Sequence, residues 1–364
     1  MGRKSMFNTI EKLMVVFIAA SWLALTSLPA FAVPIAVFQN GGDRLDATQN
    51  TDGGWGWPLT GTSAKNTIAP IAMGLSQAYR KTGSASQLTA LQSAGVFFLS
   101  KAGKYSTADG YIAAELDAVI GGTTYADHIK SNYYDKLANH TYSLDGGSTF
   151  LNTAEEIQRV IDGRASSGRG NLAAWDIGMG LVSAVALGLN TSDWVSGTQA
   201  TINALTGTEY YDVIGLAGAV YGLASAGADF DPTTGEHAAA GSLADLAGIL
   251  ASYQMVTGGF TWHKNYMIPA NNDETIQETA YAILALNEFD ANLYSSEIRD
   301  AGAWLISTQL STGGWKNWAG GMENNEVTGE ALWALSSVPE PSSFALLLLG
   351  LAGLGGARLR RIRS

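Results

Sequence analysis

Two kinds of helix-forming stretch alternate along the chain. One kind is amphipathic. Over 295–308, Ile298, Ala301, Trp304 and Leu305 fall on one stripe with polar residues behind them, and 243–253 has the same character. The other kind is apolar almost all round and rich in Ala and Gly, as in 177–187 and 213–224. Ala282-Ile283-Leu284-Ala285-Leu286, within 276–286, is echoed by Ala331-Leu332-Trp333-Ala334-Leu335, within 327–335. A helix that is apolar on every side has to be buried on every side, and small residues let such helices pack closely. Helices of the second kind are predicted to begin near Asn66, Ala108, Asn171, Tyr211, Glu274 and Asn324, each after a partner of the first kind. The third interval is longer and carries an extra helical stretch, 154–161.

A short motif punctuates this alternation. It occurs as Gln49-Asn50-Thr51-Asp52-Gly53-Gly54-Trp55-Gly56-Trp57, as Gln254-Met255-Val256-Thr257-Gly258-Gly259-Phe260-Thr261-Trp262, and as Gln309-Leu310-Ser311-Thr312-Gly313-Gly314-Trp315-Lys316-Asn317-Trp318. Each copy reads Gln, three residues, Gly-Gly, an aromatic residue and then Trp, and each lies between two helical patterns. Internal repeats of this kind fix an architecture. Six amphipathic helices alternating with six buried ones predict an all-α fold, an α/α toroid of about six helix pairs with the amphipathic set outside. An open solenoid, the alternative, would leave one face of the apolar helices exposed.

The Gln-x-x-x-Gly-Gly-Trp segments resemble the repeat of the terpenoid cyclase and protein prenyltransferase superfamily. The resemblance spans 33–337 and implies an α6/α6 toroid. It further implies that Gln49, Trp55, Gln254, Phe260, Gln309 and Trp315 are structural, the Gln side chain and the ring tying one helix end to the next. The family's best-known chemistries do not carry over. The Asp-x-Asp-Asp acid of the triterpene cyclases is missing, the nearest segment being Asp229-Phe230-Asp231. The zinc site of the prenyltransferases needs a Cys, and the chain has none.

The two ends read as addresses. Arg3, Lys4 and Lys12 precede an apolar run, and Ala30-Phe31-Ala32 has the small-x-small cleavage pattern of a secretory signal, here 1–32. At the other end Val338-Pro339-Glu340-Pro341 leads into a short apolar stretch closed by Arg358, Arg360, Arg361 and Arg363. The stretch is shorter than the ~20 residues of a comfortable membrane span, and its arginines would hold its end at the cytoplasmic face. This segment, 338–364, resembles the PEP-CTERM sorting signal. The resemblance implies export in a Gram-negative bacterium, processing by an exosortase-type membrane enzyme, transient inner-membrane anchoring by the C-terminal helix, and display at or release from the cell surface. Membrane contact is expected only through these two segments, leaving 33–337 as the toroid domain.

Composition narrows the chemistry. Apolar residues make up 46% and charged residues 15%, a folded composition. With no Cys, disulfides, thiolate metal sites and Cys nucleophiles are excluded. Without its two ends the chain carries roughly twice as many acids as bases, which disfavours nucleic acid and suits cations or neutral sugars better.

Parallel inner helices would collect their N-termini at one end of the toroid. Asp109, Asp176, Asp212, Glu274, Glu278, Glu326 and Glu330 lie near those starts, either as partners of the helix dipoles or as an acidic mouth. Two of them, with Asp176, Asp212 and Glu278 as candidates, would serve as acid and base for glycoside cleavage if suitably spaced. Trp57, Trp262 and Trp318 are candidate stacking surfaces for a ligand, with His263 and Glu326 beside them. Asn271-Asn272-Asp273-Glu274 and Glu323-Asn324-Asn325-Glu326 are oxygen-rich enough for Ca²⁺, although helix capping accounts for both. No other metal or cofactor is expected. Arg164-Ala165-Ser166-Ser167-Gly168-Arg169-Gly170-Asn171 reads as a loop, or as a holder for a uronate carboxylate. Two functions remain open: a noncatalytic surface or matrix protein binding exopolysaccharide or a protein partner, and a polysaccharide-degrading hydrolase or lyase.

Overall fold

The computed structural model describes residues 31–339, apart from 102–104, 145, 208–209, 264 and 266–272. The secretory segment up to Ala30, Glu340 and Pro341 with the rest of the sorting tail, and Asn271-Asn272 lie outside the described residues. Within 31–339, Val33–Pro339 forms one compact unit.

Six helices make a closed inner ring. They are α2 (Ile68–Thr82), α4 (Asp109–Ile120), α8 (Leu172–Ala186), α10 (Asp212–Ser225), α12 (Ile276–Asp290) and α14 (Asn325–Ser337). Each packs on the next, and α14 packs back on α2. All six starts lie within about two residues of the sequence-predicted ones. Around them stand α1 (Ile35–Thr48), α3 (Ala85–Leu99), α9 (Ser192–Ala204), α11 (Leu243–Ser252) and α13 (Ser295–Ser307). The third unit is enlarged. It contains α5 (Thr124–Ile129), a π-helical turn (Lys130–Tyr134), α6 (Asp135–Ala138) and then α7 (Thr153–Ser166), which runs one turn beyond the expected stretch at its C-terminal end. Three two-residue antiparallel pairs, which periodicity does not reveal, complete the loops: β1 (Tyr142–Ser143) with β2 (Phe150–Leu151), β3 (Phe260–Thr261) with β4 (Glu274–Thr275), and β5 (Trp315–Lys316) with β6 (Glu323–Asn324). The architecture is thus an all-α toroid of helix pairs.

The Gln motif makes the same joint three times. Gln49 Nε2 donates to Gly53 O at 2.9 Å and to Ala90 O on the next outer helix at 2.8 Å. Gln254 Nε2 donates to Gly258 O (2.9 Å) and Glu297 O (2.7 Å), and Gln309 Nε2 to Gly313 O (2.8 Å) and Val37 O (3.0 Å). The last of these joins the end of the chain to its beginning. The first glycine of each copy has positive φ (+86° to +97°), and a Cβ there would sit 2.1–2.3 Å from a carbonyl of the same next helix. Only Gly meets both demands. The aromatic residue is buried in every copy, and Trp55 Nε1 and Trp315 Nε1 each donate at 2.8 Å to the carbonyl ten residues back, Leu45 and Leu305. Phe260 fills the same place without that bond.

Side chains meet across the middle of the ring. Trp333 on α14 lies 5.0 Å from Tyr111 on α4, 6.0 Å from Tyr221 on α10 and 6.3 Å from Tyr281 on α12, ring centroid to centroid. Tyr281 also meets Trp175 on α8 at 5.4 Å. The helices α4 and α10 are not neighbours of α14, so these rings span the axis, and the toroid has an aromatic core at this level.

Candidate functional site

The starts of the inner helices are tied to one another around one end of the ring. Lys65 Nζ reaches Ser100 O, and Thr107 Oγ1 reaches Asp176 O. Asn171 exchanges hydrogen bonds of 2.9 and 3.0 Å with Thr206. Ile276 N donates to Asn317 O, and Asn325 N to Pro58 O. Every loop that enters an inner helix therefore contributes to one rim.

Aromatic residues collect on that rim. Trp262 and Trp318 stack with centroids 6.5 Å apart and planes inclined by 21°, and Tyr210 lies 5.4 Å from Trp262. Trp318 and Tyr210 are 51% and 52% exposed, and Trp57 is 59% exposed. Large rings left this open are the exception in a chain that buries Trp55, Trp194 and Trp315 completely. Trp57 Nε1 donates at 3.1 Å to Glu326 Oε2. Trp318 also borders a recess of about 220 Å³ with Glu274, Trp304, Lys316 and Asn317.

Below the rim, carboxyl groups from α12 and α14 come together. Glu326 is half-buried, while Glu278 and Glu330 are buried. Glu330 Oε1 accepts from Gln277 Nε2 at 3.2 Å, and Glu278 Oε2 accepts a short hydrogen bond from Thr275 Oγ1. Burial pushes the Glu278 carboxyl up to about 7 against the Thr275 bond, with a smaller push from Asp212. Burial likewise takes Glu326 to about 7 despite the Trp57 bond. Glu330 is held well above the carboxylate range by burial first and by Glu326 next.

The folded-state pKa of Glu278 exceeds its ordinary 4.5, so the native protein holds this proton more tightly than the unfolded chain. Its contribution to stability is greatest below pH 4.5 and is lost as pH rises through about 7. Glu278→Gln should therefore raise the unfolding midpoint more at pH 8 than at pH 5. A gain equal at both values, read by thermal unfolding, would contradict this assignment.

The remaining sequence candidates occupy other places. Asp176 pairs through both oxygens with Arg164; burial raises its carboxyl against that pairing. Asp212 is buried with His263, whose Nε2 lies 3.8 Å from Asp212 Oδ2 and 3.1 Å from Gly207 O. His263 Nδ1 accepts from Asn265 N at 2.9 Å, which assigns the ring proton to Nε2. Glu323 pairs with Arg44 at 2.6 Å, Asn324 caps α14, and Asn325 is hydrogen-bonded to Thr48 and Gly56. Glu274 accepts from Thr257. Among the described residues no group of three or more His, Asp or Glu is arranged to hold a metal ion. Sequence reasoning placed Glu330 only near a helix start. Its i, i+4 spacing from Glu326 was the available signal that both face the same side.

Residues 337–361 match the PEP-CTERM protein-sorting motif, so the chain carries the address of an exported protein. Among the described residues no helix is long and apolar enough to cross a membrane. Solved structures with TM-scores above 0.5 share the fold. A protein from Actinoplanes is 19% identical with a TM-score of 0.52, over 83% of this chain and 98% of that one. A possible member of the GH105 family from Klebsiella pneumoniae is 12% identical with a TM-score of 0.53, over 86% and 95%. A type II terpene cyclase from Scytonema is 14% identical with a TM-score of 0.47, over 83% and 96%. No curated protein matches the sequence.

Proposed function

We propose that this is an exported, noncatalytic surface or matrix protein of a Gram-negative bacterium that binds extracellular polysaccharide at the rim of its ring. An exosortase-type enzyme acts on its C-terminal motif. The observation that carries the reading is the group of rings formed by Tyr210, Trp262 and Trp318, with Trp57 tied to Glu326 on the same rim. The C–H face of a sugar ring packs on a flat aromatic surface, and neighbouring polar groups bond its hydroxyls. The rim offers both, and it is open. The acidic balance of the chain favours a neutral sugar there.

The enzymatic reading draws support from Glu326, a half-buried carboxyl raised to about 7 with Glu330 and Glu278 behind it. An acid kept protonated near neutrality is what leaving-group protonation requires. Against it, Glu278 and Glu330 are sealed from solvent, and Asp176 is committed to Arg164.

Thermal shift and released reducing ends, read together on a panel of polysaccharides, separate the two. A saturating ligand at a hundredfold excess adds about 2.7 kcal/mol. The account expects a midpoint shift without product, abolished in Trp318→Ala, a variant that is itself near-neutral for folding because the ring is exposed. Product formation lost in Glu326→Gln would establish the enzyme instead.

A further inference from the structure

The third unit differs from the others by α7, and one side of that helix carries an unusual surface. Glu156, Arg159, Gly163 and Arg164 recur at helical spacing on one side, and only Glu156 and Ile157 of α7 are buried. This side does not cover an apolar core. It faces Thr107 and Asp176 across a polar recess of about 340 Å³.

Two ion pairs build the recess, and both are layered the same way. Arg159 Nε and Nη2 bond the two oxygens of Glu156 at 2.6 and 2.7 Å, and Tyr133 Oη donates to the same carboxylate at 3.0 Å. Arg164 grips Asp176 through Nε and Nη2. The carboxylates lie beneath, 1% and 12% exposed, while the arginine side chains are 43% and 30% exposed. A guanidinium has five N–H donors, so a carboxylate pair made side-on through Nε and Nη2 leaves the end-on fork of Nη1 and Nη2 available. What the recess shows an incoming molecule is therefore a double row of donors held rigidly in place, and the molecule has to bring acceptors. Between the two arginines in sequence, Gly163 leaves open space: a Cβ there would meet nothing within 4 Å.

We propose that this recess is a second glycan subsite that takes a carboxylate-bearing sugar residue, with Arg159 and Arg164 donating to the carboxylate. The proposal rests on the polysaccharide-binding reading but uses none of its residues. Planar guanidinium forks match the two oxygens of a carboxylate in geometry as well as charge. Because Glu156 and Asp176 already offset the two positive charges, directed hydrogen bonds hold the ligand more than net charge does, and binding should depend only weakly on salt.

Calorimetric titration of the purified protein tests this with three probes: a glucuronic acid trimer, a glucose trimer, and triglutamate as a non-sugar carrier of carboxylates. Gly163→Leu puts a side chain into the recess while leaving the residues of both ion pairs in place, and its Cβ meets nothing within 4 Å. The wild-type protein should bind the glucuronic acid trimer, and Gly163→Leu should weaken that binding at least tenfold with no fall in unfolding midpoint and no change towards the glucose trimer. Failure of the wild type to bind the acidic trimer, equal binding by Gly163→Leu, or triglutamate binding as tightly as the sugar would each overturn the proposal. Loss of the glucose response in Trp318→Ala with the acidic response intact is expected. Glucose binding that survives Trp318→Ala would count against the rim alone and leave the recess standing.

Discussion

Gly74→Val should open the seam of the ring and cost about 3 kcal/mol. A Cβ at Gly74 would lie 2.0 Å from Gly329 O and 2.5 Å from Gly329 Cα, and one at Gly329 would strike Pro70 O at 2.4 Å. The obstacle is backbone on both sides, so no side-chain rotation relieves it. The contact joins α2 to α14, the first inner helix to the last. Separating them loosens the contact that closes the ring. At roughly 2 °C per kcal/mol for a chain this large, the midpoint should fall by about 6 °C. Gly163→Ala is the control: helical, with nothing within 4 Å, it should leave stability unchanged or raise it. A Gly74→Val protein with a wild-type midpoint would mean that the helices are not in backbone contact there.

Trp315→Ala should cost about 3–5 kcal/mol. The ring is fully buried and its Nε1 donates to Leu305 O at 2.8 Å, while the backbone N, which donates to the Thr328 hydroxyl at 3.0 Å, keeps that bond in the variant. Removing the side chain leaves a cavity where α13 ends and takes one donor from Leu305 O, which keeps its bond from the Thr308 hydroxyl at 2.9 Å. Trp315→Phe is more informative than it first looks, because Phe260 already occupies the equivalent place in the preceding unit and its backbone N donates to the Thr279 hydroxyl as that of Trp315 does to Thr328. The Phe variant should lose only the indole bond, about 1 kcal/mol. Denaturant melts of the two variants would show the contrast, and equal losses would refute it.

Much of this molecule could be read along the chain because its repeats are local. The Gln, the paired glycines and the ring lie within seven residues, and the all-round apolar character of 213–224 already requires burial on every side. What could not be read is who receives each side chain. The second carbonyl bound by Gln49 is 41 residues away and that bound by Gln309 is 272 residues away, at the other end of the ring. Composition has no record of such distances. The same limit separates the candidate acids. Asp176, Asp212 and Glu278 all lie near helix starts, yet Arg164 draws the first towards α7 while the third lies near Glu330. The meeting of Tyr111, Tyr281 and Trp333 on the axis depends on ring closure and has no signature in periodicity.

The rim can be tested by asking whether its tryptophans are covered when a glycan binds. Acrylamide quenching of intrinsic fluorescence, measured with and without a saturating neutral oligosaccharide, reports the exposed rings Trp57 and Trp318 against the fully buried Trp55, Trp194 and Trp315. The account predicts that the quenchable fraction falls on binding, and that the fall disappears in the Trp57→Phe, Trp318→Ala double variant. Saturable binding that leaves Trp57 and Trp318 as quenchable as before would place the ligand elsewhere and contradict the central claim.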